Sequence, residues 1–494
     1  MDFPWLSIIV FLPVIGAILI ALLPHADPRR IRLTAALFTL VAFALSLSLF
    51  FRFDTGLEGA QFVERASWIP AIDAQYFLGI DGLSLPMLVL ATFLGFIAVL
   101  VSWKIDLRVR EYFAWLLVLE TGVLGVFCSL DLLLFFLFWE VEILPMYLLI
   151  SIWGSGRKEY SAIKFVIYTL AGSAMMLAGI LLLYFHGGTF DMMELAGMGL
   201  EGAISTLLAT AIFFLLFVGY AVKLPVFPFH TWLPDAHTDA PTAVSVILAG
   251  ILLKMGGYAM IRVCVSIFPG VSQDYAVLLV ALALVNILYG AAVTFRQRDL
   301  KRLIAYSSIS HMGYVLLGIF ALSQVSMTGA TLQMFSHGLI TGLLFALVGL
   351  IYEKAHVRDI PQLGGLARRM PVIVAVFSVA GLAALGLPGT SGFAAEFLVF
   401  LGSFNSTLVD GIQTYTILGV LGIVLTAGYI LWLLQRVFYG PPKEQYDGVP
   451  DANRLERFTI FTMVAVIMLI GIYPAVLTDI IKVGVSPVVA SLGL

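Results

Sequence analysis

LFVGYAVKLPVFPFHTWLPDA (216–236) and GLAALGLPGTSGFAAEF (381–397) each place proline and glycine in the middle of a long apolar run. Proline has no N–H to give to a helical ladder and its ring collides with the preceding turn, so a helix cannot pass through either stretch unbroken. A non-helical backbone surrounded by hydrocarbon is tolerated only where protein or a watery cavity meets its polar groups. Each break also carries an ionisable residue, Lys223 in the first and Glu396 in the second. Two broken helices with a charge at each break are what a membrane protein shows at an ion site.

Working outward, the remaining sequence is of the same kind. The chain has 494 residues, of which 61% are hydrophobic and 12% charged, with a mean hydropathy of +1.04. An ordinary globular domain is about half apolar and about a quarter charged, so no water-soluble core could absorb this surface. The net charge is −3, which leaves no basic face for nucleic acid. The two cysteines, Cys128 and Cys264, lie in separate apolar runs without a CxxC or Cys/His cluster, which excludes zinc and iron–sulfur chemistry by their usual spacings. The first apolar run, Trp5 to Leu23, has no basic residue ahead of it and no small-residue cleavage site after it, so it is expected to remain as a helix.

A hydrocarbon core about 30 Å thick needs roughly 20 apolar residues per crossing helix. The sequence predicts fourteen such helices, at 4–23, 31–51, 78–103, 112–130, 132–152, 161–185, 204–229, 241–264, 275–295, 303–322, 327–352, 371–402, 412–436 and 458–480. No strand is expected. Alternate connections hold 20 of the 27 Lys and Arg residues, in clusters at 29–32, 104–110, 157–158, 296–302, 354–369 and 436–457. The positive-inside rule places those connections in the cytoplasm and both termini outside it. The breaks fall in helices 7 and 12, five helices apart, so helices 4–8 and 9–13 are expected to be repeats, the second inverted relative to the first by the odd count. The chain then reads as one polytopic membrane domain over 1–494: N-terminal helices 1–3 (1–110), a core (111–436), and a C-terminal loop with helix 14 (437–494).

A charge at the bilayer centre costs about 2.5–3.5 kcal/mol even on the lenient insertion scale, so each buried one needs a partner or water. Glu140 lies about eight residues into helix 5, Lys223 beside the helix 7 break, Lys254 midway along helix 8 and Glu396 after the helix 12 break. Ser307, Ser310, His311 and Tyr314 form one helical stripe, and Gln333, Ser336, His337 and Thr341 form a second. Glu142 is about 200° around an ideal helix from Glu140 and is therefore the secondary carboxylate. Lys164, near a helix end, reads as a snorkelling side chain. A bland reading stands beside each of these: a Glu–Lys pair can be a structural salt bridge, and hydroxyl–imidazole stripes can simply bind helices together. Against it, acid, base and histidine recur on six helices, where one ion pair needs only two residues. Because a carboxylate beside a buried lysine favours the charged form, separating the two can expel a proton, and histidine titrates near neutral pH. His230, Asp235 and His237 invite a metal reading, but their prolines are better explained as an ordered turn into helix 8.

At these residues the chain resembles the antiporter-like, proton-pumping membrane subunits of respiratory NADH-quinone oxidoreductase (complex I). FFLFWE, KFVIYTLAGSAMML, AVKLPVFPFHTWLPDAHTDAPTAVSVILAGILLKMGGY, RQRDLKRLIAYSSISHMGYV and LPGTSGFAAEF carry the likeness, from about residue 110 to 435. It implies a proton relay through Glu140, Lys223, Lys254, His311, His337 and Glu396, an enzyme subunit with no redox centre of its own, and NAD, FMN, iron–sulfur clusters and quinone in partner subunits. A glutamate at the helix 12 site, with a chain that stops soon after helix 14, is similar to the M-type subunits. The L and N types and the Mrp-type antiporters carry lysine there. L and N neighbours on either side, membrane lipid around them and a bacterial inner membrane are the implied surroundings. A Mrp-type cation/proton antiporter or a hydrogenase-linked subunit of the same fold is the alternative.

Overall fold

Where water is absent, a helix satisfies its backbone within one segment, and that is what the apolar runs become. The computed structural model describes residues 3–22 and 27–493, and thirteen of its helices are long and apolar enough to cross a membrane. They are α1 (Trp5–Leu22), α2 (Pro28–Arg52), α3 (Ser84–Val101), α4 (Val109–Cys128), α5 (Leu132–Trp153), α6 (Lys158–Gly187), α7a (Thr206–Lys223), α8 (Thr242–Val265), α9 (Ala276–Phe295), α10 (Leu300–Phe320), α11 (Gln324–Ala355), α13 (Ile412–Val437) and α14 (Arg454–Ile472). The fourteenth crossing is made by two shorter apolar helices, α12a (Pro371–Ala384) and α12b (Ser391–Phe404). Local chemistry sets the ends. Asp131 caps α5 by accepting from Leu133 N and Leu134 N, and Asp299 caps α10 through Arg302 N.

Both expected breaks are present. Helix 7 stops at Lys223, runs irregularly through 224–231, and resumes as α7b (Trp232–Asp239). Helix 12 is interrupted over 385–390, where Gly386 and Gly389 take φ of +80° and +90°, backbone angles that glycine adopts without a Cβ penalty.

Four expectations fail. Residues 61–80 form an antiparallel hairpin, β1 (Gln61–Ile69) and β2 (Ala74–Ile80), with Arg65 opposite Phe77. Helix 3 therefore begins at Ser84, not 78, because Asp81 turns its carboxylate onto Leu83 N and Ser84 N and starts the helix there. Helix 5 is interrupted at Glu142, three residues before Pro145. The span expected at 458–480 ends at Ile472, because Pro474 withholds a donor and disfavours a helical Tyr473, and a separate α15 (Ala475–Ala490) follows.

The connections sort onto two faces. On the basic face Arg32 bonds Asp106, Lys104 bridges Glu353 (2.5 Å) and Glu456 (2.8 Å), and Arg358 reaches Thr238 O. Hydrogen bonds to Glu353 and Glu456 outweigh the burial of Lys104 and hold its ammonium above the ordinary lysine value. On the hairpin face Arg65 bonds Asp191, and Gln273 reaches Leu492 O. Both described ends of the chain lie on this second face, since Leu6 N is bonded to Glu64 of the hairpin. Two isolated bridges also match: Asp131 pairs with Asp191 and Asp299 with Asp359, the second pair displaced by 168 residues from the first at both positions. Five crossings lie between them, so they occupy opposite faces. At the centre α11 touches α3, α8, α10, both halves of α12, α14 and α15.

Candidate functional site

Small residues bring the ionisable helices together. A Cβ on Gly338 of α11 would stand 2.5 Å from Gly250 O of α8, and one on Gly256 of α8 would stand 2.7 Å from Tyr220 O of α7a. Backbones this close place side chains of neighbouring helices in direct contact. On α8, Lys254 Nζ donates to its own helix at Ala249 O and lies 2.8 Å from His337 Nδ1 of α11. That carbonyl belongs to a π-helical turn (Leu248–Leu252), which takes it off the regular ladder. The rings of His337 and His311 stand 5.5 Å apart, and His311 Nδ1 is 3.2 Å from Glu396 Oε1. Gln333 Nε2 donates to the same oxygen over 3.4 Å. Lys254, His337, His311 and Glu396 thus form a continuous row across α8, α11, α10 and α12b, and each is 3% exposed or less. Gly386 packs beside it with φ of +80°, a backbone that favours glycine, and a Cβ there would lie 3.0 Å from Glu396 Oε2.

Lys223 ends α7a with its ammonium bonded to Glu142, and both side chains are buried. Trp139 and Phe165 present their rings to the ammonium at 5.5 Å each. Here the sequence reading is corrected: Glu142, not Glu140, is the direct partner. The two carboxylates do face apart, and it is Glu142 that continues the buried face of Phe135, Phe138, Trp139 and Met146 toward Lys223. Glu140 is half-buried, stays within electrostatic reach of Lys223, and lines an outward groove with Leu144, Tyr147, Ile163, Val166 and Leu170. Among the described residues no hydrogen bond joins the Lys223 pair to the Lys254 row.

The stripes divide by role. His311 and Gln333 meet Glu396, while Ser307 bonds Tyr429, Ser310 donates to Ile287 O and Ser336 bonds Ser391, which ties helices together. Lys164 does not snorkel: it bonds Asp235 of α7b at 2.7 Å, beside Arg302. No group of three His, Cys, Asp or Glu among the described residues could hold a metal ion.

Residues 129–426 match the family described as NADH:quinone oxidoreductase/Mrp antiporter, transmembrane. The chain belongs to that family. Its relatives include the NAD(P)H-quinone oxidoreductase chain 4 1 of Synechococcus elongatus, 44% identical over 99% of this chain and 92% of the relative. The NADH-quinone oxidoreductase subunit M of Rhodobacter capsulatus is 42% identical over 98% and 96%. Among solved structures, a chain of respiratory complex I from Thermus thermophilus with bound NADH superposes with a TM-score of 0.88, at 28% identity, over 99% of this chain and 100% of that one.

Two further polar groups of this antiporter-family chain were given no place in the relay by the sequence reading, which weighed His237 only as a metal ligand and Lys301 only as a loop charge. His237 of α7b is fully buried, stacks on Phe345 at 4.5 Å, finds no partner among the described residues for either ring nitrogen and is within electrostatic reach of Lys301 and Lys254. Lys301 is buried, donates to Ala240 O over 2.6 Å and lines a 380 Å³ cavity on the basic face. Electrostatic proximity, of His237 to Lys254 and of Lys301 to His237, is the signal for both, and it exists only in three dimensions.

Proposed function

We propose that the chain is the M-type proton-translocating membrane subunit of an NADH-quinone oxidoreductase. In this reading the electron transfer between NADH and quinone, through FMN and iron–sulfur clusters, takes place in partner subunits. The observation that carries the reading is the row Lys254–His337–His311–Glu396, in which each group is close enough to its neighbour to pass a proton directly or through one water. The likeness to subunits named M and chain 4 supports the enzyme assignment.

Glu142 and Lys223 act as the switch. While paired, the carboxylate holds the ammonium charged; when they part, the lysine's proton is driven toward the central row. Glu140 is within electrostatic reach of that switch and closer to the outer surface, a position from which it can present charge to a neighbouring subunit. Lys301 and His237 lead from the cavity on the basic face toward Lys254, which supplies the central row from the cytoplasm. Glu396, beside the broken helix 12, is the terminal member.

The two bridges repeated at a constant displacement on opposite faces support helices 4–8 and 9–13 as inverted repeats within the core 111–436. The basic face is taken as cytoplasmic, so both termini are periplasmic in a bacterial inner membrane, and L-type and N-type subunits flank this one. Purification of a tagged chain in mild detergent tests the assignment. NADH-oxidising subunits should accompany it. Recovery with antiporter-like membrane subunits alone, in stoichiometric amounts, would overturn the reading in favour of a cation/proton antiporter.

A further inference from the structure

α8 carries a second polar row that the path above does not use. Beyond Lys254, the residues Tyr258, Arg262 and Ser266 follow at intervals of four on a helix enclosed by protein along its whole length. Residues four apart on a helix are neighbours. The contacts run along the same line: Arg262 Nε donates to Tyr258 Oη over 3.3 Å, and Arg262 Nη2 donates to Asp81 Oδ2 over 2.6 Å. Asp81 is fixed in turn, its Oδ1 accepting from Leu83 N and Ser84 N. A second π-helical turn, Met260–Val265, covers the same part of the helix, and such turns recur at functional sites.

Asp81, Arg262 and Ser266 all line one cavity of 250 Å³ at the hairpin face, walled by Met193, Val483 and Pro487. At about 30 Å³ per water that space admits several, with the side chains of Asp81, Arg262, Ser266 and Ser491 to bond them. α15 closes one wall, held against the start of α3 where a Cβ on Gly82 would stand 2.5 Å from Gly484 N. A buried ion pair facing apolar protein on every side repays its desolvation poorly, whereas one that opens on water does not lose it all. The opening is thus consistent with a hydrated role for the pair.

We propose that this cavity is the outer end of a proton-release branch that leaves Lys254 along α8 through Tyr258, separate from the route through Glu396. The proposal rests on the proton-translocating reading above. Because Arg262 Nε occupies a lone pair of Tyr258 Oη, the hydroxyl hydrogen is left to point elsewhere. In one step the hydroxyl accepts a proton from the lysine side and gives its own to a water beside Arg262, which passes one on to the cavity that Arg262 lines, so one proton moves outward and Tyr258 ends neutral. Arg262 and Asp81 are positioning residues: they hold the hydroxyl and keep the water next to it.

The test uses Ser266→Cys in the assembled complex, labelled in sealed vesicles with the hairpin face outward and then assayed for NADH-driven translocation in vesicles of the opposite orientation. The native Cys128 and Cys264 are fully buried, so a membrane-impermeant trimethylammonium methanethiosulfonate should reach only the introduced thiol. We expect the reagent to modify residue 266, seen as a mass shift that needs no NADH. NADH-driven proton translocation should then be lost, while NADH oxidation by a soluble artificial acceptor and migration on a native gel stay as before. No modification would mean that the cavity is closed to outer water, and complete modification with unchanged translocation would mean that it is off the path. Dissociation of the modified complex would assign the site to assembly. Each of the three overturns the proposal. Tyr258→Phe keeps the ring packed on Phe127 and removes only the hydroxyl; it should lower translocation, and parental translocation would also overturn the branch. If the parent complex itself shows no NADH-driven translocation, it is the subunit reading that fails, and the mass shift remains interpretable without it.

Discussion

Glu142→Gln separates the two carboxylates of α5. Glu142 is fully buried and bonded to Lys223, which is 1% exposed. Removing one charge of such a pair leaves the other uncompensated, which costs about 3–5 kcal/mol. The amide still accepts one hydrogen bond from the ammonium, returning about 1 kcal/mol. The net loss of about 2–4 kcal/mol corresponds to roughly 30-fold to 1,000-fold in the folded population. Glu140→Gln removes a half-buried charge that makes no hydrogen bond to Lys223, so its effect should stay below about 1 kcal/mol, as for exposed pairs. The assay is the amount of assembled complex on a native gel, with the thermal midpoint of the purified complex, for both variants beside the parent. A double variant, Glu142→Leu with Lys223→Met, removes both charges and should recover assembly, because apolar replacement of a buried pair is often neutral. It should not recover proton translocation. If Glu140→Gln proves the more destabilising single change, the assignment of Glu142 as the direct partner is wrong. If the double variant pumps like the parent, the pair is structural and the switch fails.

Three further outcomes are expected. Glu396→Lys should translocate better than Glu396→Ala in NADH-energised vesicles at equal assembly, since a lysine beside His311 and Gln333 can still exchange a proton; equal loss in both would remove the helix 12 group from the relay. Gly386→Ala should destabilise by roughly 1–2 kcal/mol for the positive φ and push the Glu396 carboxylate away, so translocation should fall further than assembly; an unchanged thermal midpoint and rate would contradict the close approach. A phosphatase reporter fused after Leu494 should be active and a cytoplasmic reporter inactive, as both described ends share the hairpin face; the reverse pattern would invert the sidedness assigned to every loop.

Much of this molecule is written in local chemistry. The length of each apolar run fixes a crossing helix, and Pro225, Pro228, Gly386 and Gly389 fix the breaks, because a missing N–H or a left-handed backbone acts within a turn of where it stands. The alternation of Lys and Arg fixes which connections share a face, and the expense of a buried charge marks Lys223, Lys254 and Glu396 whatever surrounds them. The tertiary structure decided what those charges meet. Glu142 faces Lys223 because it continues the buried face of Phe135, Phe138 and Trp139, and an ideal-helix angle shows that the two carboxylates face apart without showing which of them meets the lysine. The hairpin at 61–80 and the independent α15 likewise depend on packing partners far along the chain, Glu64 against the start of α1 and Gly484 against Gly82. His237, Lys301 and the Asp81–Arg262 pair look unremarkable one at a time. They acquire meaning when helices scores of residues apart close to van der Waals distance, and no periodicity within a single helix encodes that approach.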